Sequence, residues 1–280
     1  MTTTSDTPIG THVPRGRVRS NAVRPDAVPK VRGEFAFSSD LHADDMLWGR
    51  TLRSPHPHAR IVRFDPSAAW RIPGVEAIIT ADDVPGLPTY GLVTQDQPVF
   101  ARDVVRYHGE PICAVAADTP DACRRALAAI VVEYEVLDPL VDPEVAIETG
   151  SIFRHQRIVH GDPTVIGAVQ VEGTYELGMQ DQAFLGLEAA LAIPDPGGEG
   201  VELHVATQWL HEDRKQIAAC LGLPEERVRL VLGGVGGAFG AREDISLQVH
   251  VCLLALRTGR PVKMQYGRDE SFHGHVHRHP

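Results

Sequence analysis

The sequence predicts an α+β protein, and three observations carry that expectation. Short apolar runs of strand length recur along the chain between turn residues. Two stretches, Thr119 to Ile130 and His211 to Leu221, have helical spacing with proper start or stop signals. A strand-like run, Val228 to Leu232, enters a glycine-rich loop and then a long apolar stretch from Ile245 to Leu256.

Taken in order, residues 1–30 are rich in Thr, Ser, Pro and Arg without periodicity and are expected to form a mobile arm. A first α+β region spans 31–145. Met46 to Leu52, Ala59 to Phe64, Val75 to Thr80 and Pro111 to Ala117 read as strands, with Gly74 as a turn residue. Thr119 is placed as a helix N-cap with Pro120 at the first helical position. The helix that follows lines up Ala122, Cys123, Ala126, Leu127 and Ile130 on one side. Ile130 to Val136 returns as a strand in which Glu133 and Glu135 alternate with Val132, Tyr134 and Val136.

Asp138-Pro139 and Asp142-Pro143 then punctuate the chain, and Glu148 to Pro163 has no clear period. A linker is expected at 146–163. The second region, 164–280, offers Val165 to Leu177, Ala189 to Ile193 and Val201 to Thr207 as strands. The helix His211 to Leu221 stops at Gly222, with Pro224 just beyond. The helix after the glycine loop is expected to end at Thr258-Gly259, and Pro261 to Tyr266 reads as one more strand. The chain stops after a polar loop with nothing to cap the second core. That reads as a truncated product or one piece of a split subunit.

A chain of 280 residues with 43% hydrophobic content has room for one large domain or two ordinary ones. A net charge of −10 argues against binding nucleic acid through its phosphates. Four separated cysteines, Cys113, Cys123, Cys220 and Cys252, form no Cys-x-x-Cys pair, so neither a cysteine zinc site nor an iron–sulfur centre is suggested. They read as buried thiols of a reducing compartment. No apolar run reaches the length of a membrane-spanning helix, and Met1 to Ile9 is polar, so a cytoplasmic protein is expected.

Chemistry concentrates at Gly233 to Glu243, read as Gly-Gly-Val-Gly-Gly-Ala-Phe-Gly-Ala-Arg-Glu. A glycine loop between a strand and a helix suits main-chain N–H groups that cradle an anionic or oxo-rich group. It suits equally a tight loop whose glycines serve packing. No Gly-Lys-Ser/Thr ends the run, which excludes a P-loop, and the spacing does not keep a Rossmann fingerprint. Gln208, at a strand end, offers fixed amide donors or a turn role. Glu243 is placed near the N-terminus of the next helix, whose dipole favours a carboxylate, and Arg242 beside it is a solvated residue or a loop pin. His273, His275, His277 and His279 alternate as if along one face of an extended strand. Alternate histidines lie roughly 6.5–7 Å apart, too far for all four to ligate one ion, and no carboxylate or cysteine stands between them. A polar loop or packed strand is therefore favoured over a metal site.

Gly236-Gly237-Ala238-Phe239-Gly240-Ala241-Arg242-Glu243 resembles the Gly-Gly-Gly-Phe-Gly-Gly-Lys-Glu signature of the molybdenum hydroxylases, the xanthine dehydrogenase and aldehyde oxidase family. Leu52-Arg53-Ser54-Pro55-His56-Pro57-His58-Ala59-Arg60-Ile61 resembles that family's Arg-Ser-Pro-His-Ala-His-Ala motif. Ile72-Pro73-Gly74-Val75, Ala81 to Gly86, Val105 to Pro111, Thr207-Gln208 and Leu221-Gly222-Leu223-Pro224 follow in the family's order. Gly178 to Gly186 is similar to the molybdenum-carrying subunits of bacterial members. The resemblance covers about residues 30 to 280.

It implies an α/β hammerhead domain followed by the beginning of a mixed α+β molybdenum cofactor-binding domain. It further implies molybdenum held through molybdopterin, in bacterial members often as the cytosine dinucleotide, with no metal ligand from the chain itself. Gln208, Gly237, Phe239 and Gly240 would be the cofactor contacts, and Glu243 matches a glutamate that orients purines. Members oxidise purines or aldehydes with water as the oxygen source, and pass electrons through iron–sulfur and FAD subunits, which would be this chain's partners. Ala238, Ala241 and Arg242 depart from the Gly, Gly and Lys of the signature. The family's substrate-binding arginine and general-base glutamate have no counterpart here, so the chain is expected to be inactive alone, completed by a separate chain if the subunit is split. Three alternatives stand beside a xanthine dehydrogenase-like component: a non-catalytic module or assembly partner, a subunit acting on aldehydes or N-heterocycles, and a dinucleotide-binding domain.

Overall fold

The computed structural model describes residues 24–162 and 164–279. Of the expected arm, residues 1–23 lie outside the described residues. The described part up to Phe35 is a unit of its own and contains a short helix, α1 (Ala27–Arg32), with an Asp26–Lys30 ion pair of 2.6 Å in its first turn.

From Ala36 onward the chain is a second unit. Strands β1 (Leu47–Arg53), β2 (Ala59–Asp65), β3 (Val75–Ile79), β4 (Thr89–Tyr90), β5 (Gln97–Pro98), β6 (Val104–Val105) and β7 (Pro111–Ala117) precede helix α2 (Pro120–Ala129) and strand β8 (Val131–Val136). Helix α3 (Pro143–Glu148) follows. Strands β9 (Ala189–Pro194) and β10 (Val201–Val205) lead through α4 (Leu210–Leu221) to β11 (Val228–Leu232). Helix α5 (Gln248–Thr258), strand β12 (Val262–Gln265) and helix α6 (Arg268–Gly274) complete the order.

One seven-stranded sheet, in the order β11-β10-β9-β12-β1-β7-β3, runs through both halves of the sequence. The halves join where β1 pairs in parallel with β12, Leu47 opposite Val262. A three-stranded sheet, β6-β2-β8, and the β4–β5 pair stand beside it. The α+β expectation is met. Residues of β7 are buried on both faces: Ala114 and Ala116 join the main core with Leu253 and Leu254 of α5, while Cys113 and Val115 pack with Ala126 on α2. A continuous apolar run suits a strand covered twice.

Local signals act as read. Thr119 caps α2 by accepting the Ala122 N–H at 3.1 Å. Gly222 and Gly259 end α4 and α5 in the left-handed region. Arg53, from the first motif, reaches across the fold: its Nε meets Glu270 Oε1 at 3.0 Å and its Nη1 donates to the Gly109 carbonyl at 2.9 Å. All four cysteines are buried and unpaired, and burial pushes the Cys113 and Cys220 thiols up to about 12. No helix among the described residues is long and apolar enough to cross a membrane.

Four expectations are corrected. Asp142-Pro143 starts α3: Asp142 Oδ1 accepts the Glu144 N–H at 2.8 Å and Pro143 takes the first helical position. Val165 to Leu177 forms no strand and is exposed, because strand-forming side chains make a strand only against an edge that accepts their main-chain bonds, and no described strand pairs with them. Helix α5 starts at Gln248, so Glu243 does not stand at its N-terminus: Gln248 Oε1 accepts the Ser246 N–H at 2.7 Å and holds the chain in a turn. The segment after β12 is not an extended histidine strand: α6 takes up His273.

Candidate functional site

Strands β10 and β11 are adjacent and parallel, linked by α4. Ligands of such units gather beyond the carboxyl ends of the strands. Here those ends lead into Thr207-Gln208-Trp209 and the glycine loop. A cleft of about 380 Å³ opens there, lined by Thr207, Gln208, Trp209, Leu210, His211, Glu212 and Leu232.

The glycines of the loop divide by task. Gly236 crosses Gly186 so closely that a Cβ on it would stand 2.7 Å from the Gly186 Cα. The Gly186 N–H donates to the Gly236 carbonyl at 2.9 Å. Gly237 has φ +109 and backs onto Phe184, whose Cβ would lie 3.0 Å from an added methyl. Gly240 has φ +88, and nothing lies within 4 Å of where its Cβ would be. Phe239, at φ +53, is a non-glycine residue in the left-handed region with 77% of its surface exposed. Packing therefore accounts for Gly236 and Gly237, but not for Gly240 or the apex at Phe239.

Arg242 holds the loop. Only 5% exposed, it is the pin and not the solvated residue. Its Nε donates to the Gly237 carbonyl at 3.0 Å, its Nη1 to Ala206 at 3.4 Å and its Nη2 to Gly186. The guanidinium lies 4.2 Å from the Phe184 ring centroid. Burial lowers its pKa, opposed by the charge of Glu188. The Arg242 peptide and Gln208 clasp each other: the Gln208 N–H donates to the Arg242 carbonyl at 3.0 Å, and Gln208 Oε1 accepts the Arg242 N–H at 3.2 Å. That clasp fixes the side chain and leaves the Gln208 amide nitrogen without a hydrogen bond among the described residues.

Gln208, Gly237, Phe239 and Gly240 thus belong to one assembly. Glu243 follows directly and is half-buried, with no hydrogen bond or ion pair to its carboxylate among the described residues. It stands five residues ahead of α5, outside the first turn where a helix dipole acts.

Sequence reading missed Asp213. On α4, it is fully buried behind the Gln208 turn, and burial together with the Asp244 charge raises its pKa to about 7. Nearby Thr207 and Gln248 favour its ionised form without making a well-formed hydrogen bond to it. An acidic residue in a first helical turn looks ordinary in sequence, and only tertiary packing buries it.

A molybdopterin group with an oxo-bearing metal needs fixed donors and close backbone approach. The residues present fit. The main-chain N–H groups of Gly237, Ala238, Phe239 and Gly240 donate to nothing among the described residues, and Gly240 leaves open space where a side chain would stand.

Two sequence-family profiles match the chain. The aldehyde oxidase and xanthine dehydrogenase a/b hammerhead domain matches residues 32–138, and the molybdopterin cofactor-binding domain matches 150–280. A probable xanthine dehydrogenase component of Bacillus subtilis (strain 168) is 38% identical over 273 residues, covering 94% of this chain and 36% of that protein. The nicotinate dehydrogenase large molybdopterin subunit of Eubacterium barkeri is 36% identical over 271 residues, covering 93% and 64%. The crystal structure of quinoline 2-oxidoreductase from Pseudomonas putida 86 superimposes with a TM-score of 0.77 at 27% identity, over 91% of this chain and 35% of that one. The chain spans less than two thirds of each of these relatives.

Proposed function

Because the chain belongs to the xanthine dehydrogenase and aldehyde oxidase family of molybdenum hydroxylases, we propose that it supplies one wall of a molybdopterin site that hydroxylates a purine. The observation that carries the reading is the loop apex: Phe239 and Gly240 hold positive φ with unpartnered N–H groups, beside an immobilised Gln208. When bound, the molybdenum centre supplies two-electron oxidation of the substrate carbon with water as the oxygen source.

The chain's own residues position and polarise. Gln208 Nε2 and the Gly240 N–H would hold the cofactor as fixed donors, which cost no reorganisation as charge grows. Phe239 bounds the site with an apolar wall and excludes water. Glu243 orients the purine by accepting hydrogen bonds from its ring N–H groups. The catalytic base is supplied from outside these residues, and so are the iron–sulfur and FAD groups that take the electrons. Nicotinate and quinoline in the names of two similar proteins support a second reading, an electron-poor N-heterocycle other than a purine.

The test uses the assembled enzyme containing this chain, with molybdenum analysis and xanthine-dependent dye reduction. Glu243→Ala is expected to cut purine turnover at least tenfold more than aldehyde turnover. Equal losses would overturn the purine-orienting role. Gln208→Ala is expected to slow turnover about 10²-fold, the scale of one lost oxyanion-type donor, with molybdenum retained. Loss of the metal instead would make Gln208 a retention contact.

A further inference from the structure

Away from the glycine loop, a short antiparallel bridge joins two segments distant in sequence. Gln180 and Arg278 exchange main-chain hydrogen bonds of 3.2 and 3.1 Å, and Arg278 Nη1 donates to Gln180 Oε1 at 2.9 Å. That register sets Asp181 opposite His277 on one face of the pair. His275 follows two residues away on the same face.

The consequence is a convergence that alternation alone did not reveal. Asp181 Oδ2 lies 3.1 Å from His275 Nε2 and 3.0 Å from His277 Nε2. One ligand atom from each of the three residues lies within 4.8 Å of the others. The two imidazoles stack at 4.9 Å and 18°. Four histidines on a strand are too far apart to share an ion, but two histidines and a carboxylate brought in from position 181 are not.

An independent observation points to a missing ligand. The His275 side chain is 1% exposed, yet neither of its ring nitrogens makes a well-formed hydrogen bond. Asp181 Oδ2 and both Glu188 carboxylate oxygens are in the same condition. The atoms are at contact distance, but their directions do not match donor to acceptor. Native interiors rarely leave such groups together unsatisfied.

We propose that Asp181 Oδ2, His275 Nε2 and His277 Nε2 bind a divalent transition-metal ion of the zinc class, with water in the remaining position. Bonds of about 2.0–2.1 Å in a tetrahedron place ligand atoms roughly 3.3–3.4 Å apart, close to the 3.1 and 3.0 Å of the two Asp181–imidazole pairs. Two imidazoles with one carboxylate suit zinc and its neighbours rather than magnesium or calcium, which take oxygen ligands. Glu188 Oε1 lies 2.8 Å from His275 Nδ1, near enough that a small rotation lets it accept that N–H and keep the Nε2 lone pair free for metal. The ion would clasp the irregular stretch around Asp181 to the segment after α6. Phe184, whose ring centroid lies 5.0 Å from that of His275 at a 43° tilt and which lies under Arg242, carries that clasp to the back of the glycine loop. The site does not depend on the molybdenum reading.

The full chain, stripped with chelator and dialysed, is titrated with Zn²⁺ by calorimetry and with Co²⁺ by visible absorption. One equivalent of Zn²⁺ and the intense visible bands of tetrahedral Co²⁺ are expected. His277→Gln and Asp181→Asn, at partly exposed groups, are each expected to weaken binding at least tenfold, and Glu188→Gln tenfold or more. His279→Gln, outside the cluster, is expected to leave affinity unchanged. Far-UV circular dichroism of the metal-free variants confirms that they fold, and Zn²⁺ should raise the melting temperature of the parent but not of His277→Gln. No uptake of Zn²⁺ or Co²⁺ would reduce the cluster to a carboxylate–imidazole ion pair and overturn the proposal. So would binding that survives both substitutions.

Discussion

The glycine loop and the histidine cluster share Phe184 and handle buried polar groups in opposite ways. In the loop, a buried guanidinium finds three carbonyls and an aromatic face. In the cluster, a buried imidazole, Asp181 Oδ2 and the Glu188 carboxylate crowd together without a well-formed hydrogen bond. The first is a finished scaffold that owes its shape to no ligand. The second has spare coordinating capacity and gains from an ion. On the proposed function, a loop that presents N–H groups in a fixed direction to a cofactor needs the first solution, because preorganisation has to exist before the ligand arrives.

The largest test of that contrast is Arg242→Ala. It removes three hydrogen bonds and leaves carbonyls behind in a buried site, so a loss of about 3–5 kcal/mol is expected by urea denaturation. Arg242→Lys keeps the charge but not the fork, and should cost about 1–2 kcal/mol. Neither loss should change when Zn²⁺ is added in excess, beyond a constant offset. A cost below about 1 kcal/mol for the alanine variant would break the comparison, because the loop would then not depend on its pin.

Asp213 sharpens it, as a poorly satisfied group on the loop's side. Its folded pKa of about 7 lies above the ordinary 3.8, so the folded state holds the extra proton between those values. Its contribution to stability is full below about pH 3.8 and is lost as pH rises through 7. Asp213→Asn should therefore be more stable than the parent at pH 8, by about 2–4 kcal/mol, with the gain shrinking toward pH 4. His250 runs the other way. Buried against the Val99 carbonyl at 2.7 Å, it is pushed down to about 4 from 6.5. Its neutral form stabilises the fold fully above about pH 6.5, and that is lost as pH falls toward 4, by about 3 kcal/mol. Denaturation across pH 4–8 separates the two slopes, and an Asp213→Asn profile parallel to the parent's would remove Asp213 from the account.

Next in size is Gly236→Ala. Its methyl would meet the Gly186 backbone at 2.7 Å, where no flexible side chain can give way. A loss of about 2 kcal/mol is expected, the scale of overpacking. Parent-like stability would show that the two segments of the crossing can separate freely.

How much of this was legible in the sequence follows the same divide. The loop was legible because its glycines, Phe239 and Arg242 are contiguous, so spacing and resemblance both act on one stretch of sequence. Strands β1, β2, β7 and β9 to β12 were legible because their apolar runs end at turn residues and each has a partner in the sheet. Val165 to Leu177 carried the same local signal and failed, since a strand exists only with its pairing edge. The histidine cluster was illegible for a related reason. Asp181 lies more than ninety residues from His275, and only the Gln180–Arg278 register brings them together. The pattern of alternate histidines was visible, but the carboxylate that gives it meaning was not. Asp213 and His250 were hidden likewise, because burial is a property of the fold and not of a helical wheel.

The smallest expected effect is the most diagnostic. Gly240→Ala places a methyl in open space, so packing predicts no loss, and the only structural cost is a side chain at φ +88. About 1 kcal/mol follows from the positive φ alone. Gly236→Ala and Gly240→Ala therefore differ by about 1 kcal/mol in stability although they sit four residues apart in one loop. In the assembled enzyme the order should reverse. Gly240→Ala puts its methyl where the cofactor is to approach and should lower molybdenum content more than Gly236→Ala does, once both are compared at a temperature where each is folded. If molybdenum content instead tracks stability across the two variants, the open space at Gly240 is only unfilled surface, and the loop apex loses its claim as a cofactor contact.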